Sequence, residues 1–433
     1  MSKVTVFPSF GLTGEVFIPS SKPHIQRALL LALLNENTTK IVNISWNVET
    51  ENQINALKKF GLEILHKDGT TLLLRGVGRN LSYNGEIYAG GSGMLFRMCA
   101  ALASLIDNEK IVIKCNESLF NRESVFDEDF CNYLDIHIER IENEKIIITK
   151  SETNIKKPLT VLNSTQFITF ALFVTPFSKQ NIVPIVMDGS KMGYIDMTIK
   201  SMSLLGSMVT YEQKHFKVTK YIPKDIEIKI PSDFTSLSYI ASSILSSKGV
   251  SDVLIRNYYF NDTINERDLF KFYQSIGLII KYDSNWNNLR IFRQSIRLWD
   301  GEFSLKELPS VAVNIIAASS NLKGKKIFSG VRGINNHKSQ RAFIVNENIR
   351  TMGGSSVLIF DRVGMFESIY IEGKGPLNGG VELKSYGDHR ICAANLIASL
   401  GAEKESIIYD IDKLNDGFPD YIDTLRNLGV HIK

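Results

Sequence analysis

The chain is poor in several features, and each scarcity excludes something. Its four cysteines, Cys99, Cys115, Cys131 and Cys392, form no CxxC pair, which removes zinc-ribbon and redox-motif readings and leaves thiols of a reducing compartment. Fifty basic residues stand against 46 acidic ones for a net charge of +4. The basic residues are scattered, without the stripe a nucleic-acid binder shows. Long apolar runs are missing too: the stretches at 28–34 and 167–176 are too short or interrupted to span a bilayer. The opening Met1-Ser2-Lys3-Val4-Thr5-Val6 reads as a strand and not as a signal peptide. These absences predict a cytoplasmic chain that takes neither nucleic acid nor membrane as partner, with no metal site. A hydrophobic content of 44% and a charged content of 22% describe a folded protein, and 433 residues allow two or three domains.

One pattern recurs: an amphipathic helix, a corner, then a short strand. It occurs at 55–64, 130–138, 203–209, 273–280, 350–357 and 425–432, with Gly61, Gly206, Gly277, Gly353 and Gly429 at five of the corners. The second copy carries Leu134-Asp135 instead of glycine. Glycine at such a corner supplies the left-handed residue that ends a helix. The corners return roughly every 70–76 residues, the signature of a repeat. Each unit is long enough for βαβαββ, so the expected fold is α/β, with six such repeats in two lobes of three.

The lobe boundary should lie where one motif occurs twice. Phe17-Ile18-Pro19-Ser20-Ser21 and Ile228-Lys229-Ile230-Pro231-Ser232 both read as strand, proline, serine, helix. A chain that crosses at both places forms a discontinuous lobe of residues 1–19 plus 232–433 and a continuous lobe of residues 20–231. A cleft between them is the expected ligand site.

The segments that carry chemistry share one character, cations at helix starts. Ser21-Lys22-Pro23-His24-Ile25-Gln26-Arg27 opens an apolar helix with Lys22 and Arg27. Positive charge there opposes the helix dipole unless an anion sits between the cations and the free N–H groups. Gly90-Gly91-Ser92-Gly93 precedes Met94-Leu95-Phe96-Arg97. It lacks both the Gly-Lys-Ser/Thr ending of a P-loop and the spacing of a dinucleotide fingerprint. Asn163-Ser164-Thr165-Gln166 opens another apolar helix, and capping by Ser164 or Thr165 is the favoured local reading. Arg122, His337-Lys338-Ser339-Gln340-Arg341 and Asp388-His389-Arg390 repeat the cationic theme. Together these predict a site for a small polyanion bearing phosphate and carboxylate groups.

On these residues the chain resembles the enolpyruvyl transferase family, and within it the 3-phosphoshikimate 1-carboxyvinyltransferase branch, along essentially its whole length. The resemblance implies the two-lobed enolpyruvyl-transferase fold. It also implies transfer of the enolpyruvyl group of phosphoenolpyruvate to the 5-hydroxyl of shikimate 3-phosphate, with release of phosphate. The acceptor oxygen adds to the enol carbon, the methylene is protonated, and the tetrahedral intermediate loses phosphate, without metal or organic cofactor. Lys22 and Arg27 match the family's first helix, and Gly93 and Arg97 its glycine loop. Arg122, Arg341 and Arg390 match arginines that grip phosphoenolpyruvate. Ser164, Thr165 and Gln166 match the Ser-Ser-Gln that holds the acceptor. Ser190 and Tyr194 match a Ser-x-x-Tyr-Ile-Asp with one extra residue, and Phe418-Pro419-Asp420-Tyr421 matches the C-terminal Phe-Pro-Asp-Tyr. The partners implied are small-molecule substrates, and the expected state is a monomer.

The chain departs from the family where protons move. Pro23 replaces a serine, and Gly91 and Met94 replace an asparagine and a threonine. Ser310 stands where the family has one catalytic carboxylate and Lys338 where it has the other. Asp416 replaces a lysine. Three readings stay open. Acid/base work passes to Lys22, His337, Lys338 and His389; or the enolpyruvyl group goes to a different hydroxyl acceptor; or the chain binds an anion without turnover.

Overall fold

The computed structural model describes residues 2–107, 109–142, 144–151, 158–160, 164–178, 181–186, 193–260, 266–294, 298–335 and 339–433. The chain contacts divide into two compact units, residues 1–19 with 232–433, and residues 20–231.

All six corners carry a left-handed residue. Gly61, Gly206, Gly277, Gly353 and Gly429 have φ between +71° and +112°. Asp135, at the copy without glycine, has φ +54° and caps the Glu128–Leu134 helix. Aspartate is among the few non-glycine residues that visit this region at modest cost. The corner geometry therefore survives a change of residue.

The βαβαββ order gives the five four-stranded sheets one plan. An outer strand lies parallel to a central strand, and a hairpin adds to the central strand's other side. In the 20–231 unit, Ile87–Gly90 runs parallel to Ile111–Cys115, which pairs antiparallel with Lys145–Lys150, leaving Ile136–Ile141 at the edge. Leu159–Thr160, Ile182–Val186, His215–Val218 and Val209–Glu212 repeat it. The third sheet takes its outer strand, Ile226–Lys229, from the far end of the unit and sets it parallel to Thr38–Val42.

The other unit closes in the same way. Thr13–Phe17 is the outer strand beside Ser251–Arg256, and Lys3–Val6 pairs antiparallel with Ser406–Tyr409. The first residues of the chain thus complete two sheets built from its second half. Where the chain passes between units, the Ser21 N–H donates to the Pro231 carbonyl (2.8 Å) and the Asp233 N–H to the Pro19 carbonyl (2.8 Å).

Each unit has its own hydrophobic core, and three helices fill each core. In the 20–231 unit these are Lys22–Leu33, Gly93–Ala103 and Gln166–Val174. In the other they are Phe234–Ser246, Ala312–Ser319 and His389–Gly401. Most of these sequences are apolar nearly all round, as suits an enclosed helix; Phe234–Ser246 instead buries serines that hydrogen-bond, such as Ser238 Oγ to the Thr235 carbonyl (2.7 Å). The run Leu29 to Leu34 has at most 1% exposure, and each such leucine contributes about 1.5–3 kcal/mol by leaving water. Amphipathic helices such as Val48–Lys59 and Arg341–Thr351 precede the corners.

Candidate active site

The six inner helices contain no aspartate or glutamate. Their basic residues, Lys22, His24, Arg27, Arg97, His389 and Arg390, all fall in the first six residues of a helix. Acidic residues at these starts would complement the dipole, and cations oppose it. The arrangement costs stability in the empty protein and suits an anionic ligand.

In the 20–231 unit, Lys22 begins its helix and forms an ion pair with Glu49 of the Val48–Lys59 helix. Pro23 occupies the second helical position, where its missing N–H costs no hydrogen bond. Arg27 is buried, and its contacts join three helices. Its Nε donates to Thr198 Oγ1 (2.9 Å), Nη1 to the Pro23 carbonyl (3.0 Å), and Nη2 to Thr169 Oγ1 (3.3 Å) and the Tyr194 carbonyl (3.0 Å). All of these acceptors are neutral, and burial lowers the guanidinium pKa to about 10. The Tyr194 ring lies 6.0 Å from Arg27 Cζ. His24 pairs through Nδ1 with Ser21 Oγ at 2.8 Å. Burial first, then the Arg27 and Lys200 charges, push its pKa down to about 3, so the imidazole is neutral.

The glycine loop brings two more arginines together. Ser92 caps the Gly93–Ala103 helix by accepting from the Leu95 N–H (3.3 Å). A Cβ on Gly93 would stand 3.2 Å from Arg97 Nη1 and 3.6 Å from Arg122 Nη1. A side chain there would press on the Arg97 guanidinium and on Val125, and would touch the Arg122 guanidinium at ordinary contact distance. Arg122 itself caps a short 3₁₀ turn, Glu123–Val125, and donates to Ser118 Oγ (3.0 Å) and the Gly91 carbonyl (3.5 Å). It therefore does not open an α-helix as the sequence pattern suggested. Arg97 Nη1 donates to Gln166 Oε1 (2.6 Å), and its guanidinium packs over the Phe167 ring at 4.5 Å. Burial and the Arg122 charge bring Arg97 down to about 10.

Gln166 is thus tied to an arginine. Thr165 stands at the helix N-cap without a side-chain cap bond, while Ser164 Oγ accepts from the Gln166 N–H (3.2 Å). Capping accounts for Ser164 and leaves Thr165 and the Gln166 amide to other work.

In the other unit, Asp388 caps the His389–Gly401 helix, its Oδ1 accepting from the Arg390 N–H (2.9 Å). Its Oδ2 accepts from Arg341 Nε (2.7 Å) and Ser339 Oγ (2.8 Å). The Arg341–Asp388 pair is buried, with side chains 5% and 0% exposed. Burial pushes the Asp388 carboxyl up, but Arg341 and Ser339 outweigh it and hold the group well below the usual carboxylate range. Burial and the neighbouring Arg390 charge lower Arg341.

Two donors in this cluster, Arg341 Nη1 and Arg390 Nε, are buried without a hydrogen-bond partner among the described residues. An orphaned buried donor on a charged group is costly, and each is of the kind that pairs with an anion. His389 lies against Gly417, beside Phe418 of the Phe-Pro-Asp-Tyr segment. Ser310 is buried in the turn before the Ala312–Ser319 helix. Ser190, His337 and Lys338 lie outside the described residues. No group of three or more His, Cys, Asp or Glu side chains is placed to hold a metal among the described residues, and none of their helices is long and apolar enough to cross a membrane.

The partners of these groups were not legible in the sequence. Glu49 anchors Lys22, Thr169 and Thr198 anchor Arg27, and Ser339 joins Arg341 in holding Asp388. Only spacing pointed to two of them: Thr169 follows Gln166 by three residues and Thr198 follows Tyr194 by four, which shares a helix face.

Comparison with known proteins shows the family and the fold. Residues 8–425 match the family model for EPSP synthase (3-phosphoshikimate 1-carboxyvinyltransferase). A 3-phosphoshikimate 1-carboxyvinyltransferase of Methanocaldococcus jannaschii is 25% identical over 98% of this chain and 97% of its own length. One from Chlamydia abortus is 25% identical over 98% of this chain and 93% of its own. Among solved structures, EPSP synthase from Acinetobacter baumannii superimposes with a TM-score of 0.79 at 18% identity, covering 100% of this chain and 99% of its own. The enolpyruvyl transferase NikO from Streptomyces tendae superimposes with a TM-score of 0.73 at 13% identity, covering 100% and 98%. These two likenesses carry the two-lobed fold, and the family match carries the membership: the chain belongs to the EPSP synthase family of enzymes.

Proposed function

We propose that the protein transfers the enolpyruvyl group of phosphoenolpyruvate to the 5-hydroxyl of shikimate 3-phosphate, releasing phosphate. The observation that supports this most is the pair of orphaned guanidinium donors, Arg341 Nη1 and Arg390 Nε, at two helix starts. They suit the phosphate and carboxylate of phosphoenolpyruvate, with Arg122 as a third cation. Lys22, Arg27, Ser164, Thr165, Gln166, Ser190 and Tyr194 are assigned to the phosphorylated acceptor, and Gly93 to the close approach of phosphoenolpyruvate. Ser310 sits at a substrate position once held by a carboxylate.

In this reading the acceptor oxygen bonds to the central carbon of phosphoenolpyruvate while the methylene carbon gains a proton. The tetrahedral adduct then loses phosphate with cleavage of its C–O bond, and the new methyl group gives up a proton to restore the vinyl ether. The proton carriers are drawn from Lys22, His337, Lys338 and His389. Positive charge around the adduct stabilises the departing phosphate.

A second reading, transfer to another hydroxylated acceptor, is favoured by Pro23 and Met94, which alter positions near the expected acceptor and phosphoenolpyruvate. Neither can supply the hydroxyl that the family places there. One experiment separates them: the purified protein is given phosphoenolpyruvate and shikimate 3-phosphate, phosphate release is followed, and products are weighed by mass spectrometry. An enolpyruvyl ether of shikimate 3-phosphate is the expected result. Bound phosphoenolpyruvate without turnover selects the second reading, and absence of both binding and turnover overturns the enzymatic assignment.

A further inference from the structure

Gln166 opens the Gln166–Val174 helix, and its side-chain amide has two ends of opposite character. The oxygen accepts hydrogen bonds and the nitrogen donates them. Whichever end meets a ligand decides what the ligand must offer there. Ser164 and Thr165, just before it, carry hydroxyls that serve either way.

Arg97 decides which end of the Gln166 amide is used up inside the protein. A guanidinium has donors and no acceptor, so the amide end that bonds to it is the oxygen. Arg97 Nη1 donates to Gln166 Oε1 at 2.6 Å. The guanidinium is itself well held: it is buried, and it packs 4.5 Å from the centre of the Phe167 ring, the next residue of the same helix. A Cβ on Gly93 would stand 3.2 Å from the same Nη1, so the glycine leaves that nitrogen its place. With Oε1 taken, Gln166 Nε2 has no hydrogen-bond partner among the described residues. Gln166 is only partly buried, and two N–H groups remain for a ligand.

We infer that Arg97 is a positioning residue that fixes the Gln166 amide as a hydrogen-bond donor toward the substrate. Gln166 then takes an oxygen with free lone pairs, from a carboxylate, a phosphate or a hydroxyl, and disfavours a donor. The inference rests on the assignment of Gln166 to the phosphorylated acceptor, and adds to it the amide's orientation and the residue that imposes it. An amide left free to turn would lose that freedom on binding, whereas one fixed by Arg97 has lost it already in folding.

A double-mutant cycle, read by calorimetric titration of shikimate 3-phosphate into the full chain, tests this. Arg97→Met removes the donor but keeps a long side chain against Phe167, and should weaken binding by about five- to tenfold. In a Gln166→Ala background the same change should alter affinity by less than about twofold, because Arg97 acts through the amide. Equal losses in both backgrounds overturn the inference, since a role through the fold or through bare charge would cost the same in each. Arg97→Lys, which keeps the charge and not the planar fork, repeats the cycle if circular dichroism shows the methionine variant unfolded. Gln166→Glu checks the sign: its carboxylate still pairs with Arg97 but offers the ligand lone pairs in place of N–H groups. It should bind at least about tenfold more weakly with no loss of melting temperature, and wild-type affinity in it overturns the donor orientation. A wild-type chain that does not bind shikimate 3-phosphate overturns the acceptor assignment itself, whereas binding with equal losses overturns this inference alone.

Discussion

The imidazole of His389 occupies the space that a side chain on residue 417 would need. A Cβ on Gly417 would come within 2.8 Å of His389 Cδ2 and 3.3 Å of Nε2. Gly417 has φ −126°, so its backbone does not require glycine. The ring does.

Gly417→Ala should therefore move the His389 ring and leave the fold intact. If His389 carries a proton in the reaction, a displacement of about 1 Å should lower kcat by about a hundredfold. It should also alter the pH dependence of kcat, while the melting temperature changes little. Wild-type kinetics in the alanine variant, with binding unchanged, would remove His389 from proton transfer.

The Arg341–Asp388 pair should be worth more broken than it is whole. Asp388→Asn keeps the size of the side chain and leaves a buried arginine without its counter-charge, which typically costs about 3–5 kcal/mol. The pair also predicts acid sensitivity. The folded-state pKa of Asp388 lies below its unfolded value of about 4. Its contribution is thus full above about pH 4 and is lost as the pH falls toward the folded value. Urea melts of both proteins at pH 7 and at low pH should show the gap between them closing in acid.

Arg27, assigned above to the acceptor, also holds helices together. Arg27→Ala should cost about 1–3 kcal/mol, less than four lost bonds suggest, because the Thr169 and Thr198 hydroxyls are 3.0 Å apart and bond each other. Arg27→Lys keeps the charge but not the planar fork. It should recover part of the stability and little of the acceptor affinity, as read by denaturant melts and calorimetric titration. Equal acceptor affinity in wild type and both variants would leave Arg27 with a purely structural role.

These contacts mark the line between what was legible in the sequence and what was not. The helix ends were legible because the left-handed corner is a local property, and the second copy kept it with Asp135 in place of glycine. The α/β fold followed from that pattern repeated. Several inner helices announced their burial through apolar sequence, and three of them their starts through misplaced basic residues. Pairings set by the tertiary fold were not legible. Asp388 meets Arg341 from 47 residues away, and Arg27 meets Thr198 from 171. Lys22 reads as a free cation beside an anion site, yet it is paired with Glu49. Whether a charge at a helix start is compensated depends on which neighbouring helix packs there, and no spacing rule encodes that.

His24 supplies a last test, and its sign is opposite to that of a histidine stabilised by a carboxylate. Burial and the Arg27 charge bring its folded pKa down to about 3, while an unfolded histidine titrates near about 6.5. Below that value the unfolded chain takes up a proton that the folded chain refuses. Stability is therefore full above about pH 6.5 and falls as the pH drops toward the folded pKa, by up to about 1.4 kcal/mol per pH unit. His24→Gln retains a polar group able to bond Ser21 and has nothing to titrate. Its stability should hold steady from pH 6.5 down to about 5, where Asp388 and other carboxylates have yet to protonate, while the wild type declines. Parallel slopes for the two proteins over that interval would mean that the His24 ring is solvated and accepts its proton in the folded state.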